Sequence, residues 1–96
     1  MPSYRVTMTI GRLRAGTAPQ AVLPEAVRAV GELTTVEASD VGIVSGMPRI
    51  IVRFTGDDSR HALGIGAHAL AAVSTLAEPL ATTVTERVGG RWYVVR

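Results

Sequence analysis

The chain has no cysteine and no lysine, and its aromatics amount to one tryptophan, two tyrosines and one phenylalanine. Without cysteine there can be no disulfide, no thiolate metal site and no cysteine nucleophile. No apolar run approaches the roughly 18 residues of a membrane span. The chain passes from Met1-Pro2-Ser3 straight into an alternating pattern, with no apolar signal stretch, so the expected setting is cytoplasmic and off the membrane. All 10 basic residues are arginine; against 8 acids they leave a net charge of +2. That surplus does not by itself imply nucleic-acid binding, although local clustering could.

What is present is the composition of a folded domain: 96 residues, 47% hydrophobic and 19% charged. A chain of this size buries roughly 60–65% of its unfolded surface, enough for one core but not for a large internal cavity. We expect one domain over residues 1–96.

Tyr4, Val6, Met8 and Ile10 alternate with Arg5, Thr7 and Thr9, which predicts a half-buried strand over 4–13 and a loop from Gly11 to Gly16. A first helix has two candidate starts. Thr17 and Gln20 have capping-box spacing, and Pro24 suits a first helical position; the regular part is expected from residue 21–24 onward. Leu23, Ala26, Val27, Val30 and Leu33 would face the core, with Glu25, Arg28 and Glu32 outside. Residues 34–44 read as a strand with a bulge near Asp40 and Gly42, then a turn over Ser45–Pro48 and a strand over Arg49–Thr55. Gly56-Asp57-Asp58-Ser59 caps a second helix over 59–77, stopped by Pro79. Its apolar flanks are Leu63, Ala67 and Leu70, and Ala62, Ile65, Ala69, Ala72 and Leu76. Residues 82–88 and 91–96 around Gly89-Gly90 form a hairpin. Pairing Val88 with Arg91 puts Val84, Val88, Tyr93 and Val95 on the buried side, and Arg87 across from Trp92.

The order β-α-β-β-α-β-β resembles the ferredoxin-like split βαβ unit with one extra C-terminal strand. That resemblance implies an α+β two-layer sandwich: an antiparallel sheet with two helices on one face and the other face open. It rests on element order alone, and no specific family is implied.

Chemical motifs are sparse. Gly64-Ile65-Gly66-Ala67-His68-Ala69 matches a dinucleotide pattern but lies inside a helix rather than at a strand-to-helix turn, so close packing explains the glycines better. His61 and His68 are too far apart for a helical zinc pair. Asp40 and Glu86 are lone carboxylates, and no serine is placed beside a histidine. Arg12, Arg14 and Gly16, ahead of the first helix, are a candidate anion loop. The loop is similar in place to the phosphate loop of acylphosphatases but does not reproduce it. Other tenants of the fold are argued against by what is missing: paired cysteines of metal chaperones, sheet aromatics of RNA-recognition motifs, and the lined pocket of cofactor-free monooxygenases.

The open face is the informative surface. Arg5, Arg49, Ile51, Arg53, Arg87, Trp92 and Arg96 form the candidate interaction face, with Glu37 the one acid nearby. The sequence thus points to a non-enzymatic binding or assembly module without cofactor or metal, homo-oligomeric and open to a protein partner. The alternative is a nucleic-acid or anionic-ligand binding protein using the arginine face.

Overall fold

A computed structural model describes all residues, Met1–Arg96. Strand β1 (Ser3–Leu13) is followed by a short 3-10 turn at Pro19–Ala21, helix α1 (Val22–Leu33), strands β2 (Val36–Val44) and β3 (Met47–Thr55), helix α2 (Ser59–Ser74), and strands β4 (Ala77–Val88) and β5 (Arg91–Val94). The sheet order is β2-β3-β1-β4-β5, with every neighbouring pair antiparallel. This is the split βαβ arrangement with β5 added beside β4, an α+β two-layer fold.

Period-two alternation builds the core. Tyr4, Val6, Met8 and Ile10 of β1 and Ile50, Val52 and Phe54 of β3 are buried against Val22, Ala26 and Val30 of α1 and Ala62, Ile65, Ala69 and Val73 of α2. The Tyr4 and Phe54 rings stack with centroids 6.0 Å apart. Alanines on the inner helix faces let both helices sit close to the sheet. Gly66 goes further: a Cβ there would stand 2.6 Å from Val84 Cγ2. Gly64, by contrast, faces open space, so close packing accounts for only one of the two helical glycines.

Several boundaries differ from the sequence expectation. β1 runs through Leu13, so the loop begins at Arg14. The Thr17–Gln20 capping box is not made: the turn at Pro19–Ala21 intervenes and no side chain caps α1. Pro24 is the third residue of α1, among the first amides that have no helical acceptor anyway. Leu33 is exposed rather than core. The β2 bulge falls between Val36 and Ala38, not near Asp40–Gly42, and the turn is Ser45-Gly46 alone, both at positive φ. Helix α2 stops at Ser74 before any proline acts. Ser74 Oγ donates to Leu70 O and Thr75 Oγ1 to Ala72 O, each at 2.7 Å, hydroxyl back-bonds that compete with continuing the helix. Leu76 is therefore not helical, and Pro79 lies inside β4, opposite Ile10, where the β1–β4 register shifts.

The hairpin register is as expected: Val88 faces Arg91 and Arg87 faces Trp92. Its helix-side residues are not all core, however. Val84 is buried, but Val88 and Tyr93 are more than half exposed because no helix reaches that end of the sheet.

Candidate interaction face and the arginine loop

The open face is built by the odd residues of β1 and β3 and by their partners across the ladder. Arg5 pairs with Arg53 on one side and Thr85 on the other; Thr9 pairs with Arg49; Thr7 pairs with Ile51 and Thr83. No second layer covers these side chains; all but the exposed Thr83 are half-buried by one another. Arg5 and Arg53 are directly opposed like charges, which is unfavourable in an antiparallel pair. Two contacts offset it. Arg53 Nε lies 3.2 Å from Glu37 Oε1, which also accepts from Ser3 Oγ at 2.8 Å. The Trp92 ring centroid lies 3.9 Å from the Arg5 guanidinium carbon and 5.5 Å from that of Arg53.

Trp92 thus points to the open side, as its register requires, but its cation partners are Arg5 and Arg53. Arg87 stands across from it in the ladder and is exposed without that contact. Asp40, opposite Ile51, is a second acid on this face, where the sequence pattern pointed to Glu37 alone. Both acids belong to the edge strand β2. Arg96, past the end of β5, is exposed and borders a cleft of about 400 Å³ between α2 and β4.

The loop of Arg12, Arg14 and Gly16 is organised around α2 rather than α1. Arg14 Nε donates to Ser74 O at 3.2 Å and Arg14 N to Leu76 O at 2.8 Å, placing a cation at the negative end of the α2 dipole. Gly16 lies in the turn at φ 81°, and Arg12 is exposed.

Asp40 and Glu86 lie on opposite sides of the sheet, and Glu86 Oε2 is 3.5 Å from Tyr4 Oη. Burial, then the neighbouring Glu86 carboxylate, raises the Tyr4 phenol above its ordinary range. His61 Nδ1 accepts from Asp57 N–H at 3.0 Å, while His68 Nε2 is 2.9 Å from Glu32 Oε1. No three His, Asp or Glu side chains converge as metal ligands.

The chain matches no known family profile and no curated protein. No helix is long and apolar enough to cross a membrane.

One surface is not evident from the sequence. Every β2 residue from Glu37 to Val44 is exposed, and Val41 and Ile43 are 54% and 69% exposed although they point to the helix side. They wall an apolar cleft of about 640 Å³ with Leu13, Leu23 and Pro48. Their alternation with Asp40 and Gly42 was the available signal, but it cannot say where a helix layer ends.

Proposed function

We propose that the chain is a non-catalytic binding module that works as a homodimer joined through β2. The observation that carries this reading is the β2 edge. Its nine residues have a neighbouring strand on one side only, with the Val41 N–H held by Asp40 Oδ1 at 2.8 Å, and they present Val41 and Ile43 to solvent. Monomeric proteins usually blunt such an edge with charged side chains, proline, a bulge or a covering element. The bulge and both acids of β2, Glu37 and Asp40, precede Val41, so Val41–Val44 carry none of these. Antiparallel pairing of β2 with β2 of a second copy needs no other partner and is closed by a twofold axis. It would join two sheets edge to edge, bring the two Val41–Ile43 pairs together, and leave both arginine faces on one side. A non-catalytic role is supported by the separation of Asp40 from Glu86 and by the engagement of both histidines in helix contacts.

Sedimentation tests the reading. Wild type is expected to be dimeric at tens of micromolar. Ile43→Glu should be monomeric and still fold, with its melting temperature lowered only by the mass-action share that dimerisation contributes, because Ile43 makes no core contact within the single chain. A wild-type monomer at high micromolar concentration refutes the dimer. A second reading, an anionic partner on the open face, is favoured by the arginine–tryptophan cluster.

A further inference from the structure

We infer that the open sheet face binds a single strand of nucleic acid, on a diagonal from Arg87 through Arg5 and Arg53 to Arg49. This deepens the anionic-partner reading and is independent of the β2 dimer. The free face carries uncompensated positive charge. Arg5 and Arg53 oppose one another, and Glu37 engages only Arg53. Arg5, Arg49 and Arg87 make no ion pair with any carboxylate. Of the acids on this side, Glu37 and Asp40 lie on edge strand β2 and Glu78 lies at the far end of β4, past Leu80 and Gly11, so the diagonal between Arg87 and Arg49 presents arginine alone as its charged side chain.

The strip has the length and chemistry of a single-strand site. Arg87 follows the Tyr4–Glu86 pair toward the start of β1, and Arg49 sits opposite Thr9. Six residues of rise are roughly 20 Å, and two strand spacings are roughly 10 Å across. That diagonal spans about four to six nucleotides, within the usual site size for one small domain. Thr7, Thr9, Thr83 and Thr85 stand between the arginines as hydroxyl partners for phosphate and sugar. Trp92 supplies an aromatic surface at one end, next to Arg5, on which a base can stack. Polyphosphate would use the arginines but has no use for the indole. A second copy packed face to face about the sheet centre would set arginine against arginine.

Trp92 is the sole tryptophan, so its emission reads the site directly. The probe is an oligothymidylate of about 12 nucleotides, titrated at about 50 mM salt. Saturable quenching is expected. Three or four phosphate contacts predict a roughly 20- to 50-fold loss of affinity at about 200 mM salt. Arg49→Gln should weaken binding and reduce the salt slope by about 0.7 without changing the melting temperature. Ile43→Glu should still bind, so failure of the dimer and failure of this site are distinguishable. Absence of oligothymidylate binding at the lower salt overturns the proposal. So does binding without quenching that polyphosphate of equal charge displaces equally well, or an affinity unchanged in Arg49→Gln/Arg87→Gln.

Discussion

A methyl group at Gly66 would lie 2.6 Å from Val84 Cγ2, closer than atoms tolerate, while one at Gly64 would touch nothing. Two glycines two residues apart in one helix therefore have opposite meanings. Gly64→Ala should stabilise the fold by about 0.8–1 kcal/mol, the ordinary helix preference for alanine. Gly66→Ala should destabilise it by about 1–3 kcal/mol, because Val84 is branched and backed by Val6, so α2 must lift from the sheet. Urea unfolding of the two variants checks both signs. The sequence showed that something approached this helix closely. Which glycine it approached was not legible, because that depends on the rotation of α2 against β4.

At the scale of elements, α1 and α2 are tied together on their outer side as well as by the core. Arg28 bonds Glu25 one turn back, its Nη1 lies 3.2 Å from Glu32 Oε2, and Glu32 Oε1 reaches His68 on α2. The hydrogen bond from Arg28 holds the Glu25 carboxyl below the usual range, and the bond to His68, then the charge of Arg28, does the same for Glu32. Both carboxyls are depressed in the folded state. Their stabilisation is therefore present above the unfolded-state value of about 4.3 and is lost as pH falls through the lower folded values. Carboxyl-carbon NMR titration should place Glu25 and Glu32 below the ordinary glutamate value of about 4.3, and Arg28→Gln should move both upward. The pairing within α1 was readable from i,i+3 and i,i+4 spacing. The link from Glu32 to His68 was not, since residues 36 apart meet only once the helices lie side by side.

For the whole molecule, the two layers do not coincide. The helices cover β1, β3 and the inner part of β4, whereas the far half of β2 and the outer end of the β4–β5 hairpin extend past them, leaving Val41, Ile43, Val88 and Tyr93 in solvent. Trp92 sits on the uncovered side, half-buried against arginine. Trp92→Ala should therefore lower stability by only about 1 kcal/mol, the scale of a partly desolvated cation–π contact. For a chain of this length that is a fall of roughly 4–8 °C in melting temperature. Phe54→Ala, which opens a cavity between the layers, should lose about 3–5 kcal/mol. Thermal unfolding of the pair separates a surface tryptophan from a core one; equal losses would place Trp92 in the core.

Alternation along β1, β3 and the hairpin determined by itself which side chains face the helices, because a strand turns each successive side chain to the other face. Element order determined the split βαβ arrangement, because right-handed crossovers leave few ways to pack two helices on one sheet. Tertiary structure alone decided three things. Pro79 became part of a strand rather than a helix stop, since the ladder to β1 shifts register where its missing amide falls. Arg5 and Arg53, not Arg87, met the indole, since a long side chain reaches across neighbouring strands and its partner depends on the sheet order. Arg14 was drawn to the end of α2 and away from α1, since the free carbonyl of Ser74 lies within its reach only in the folded chain.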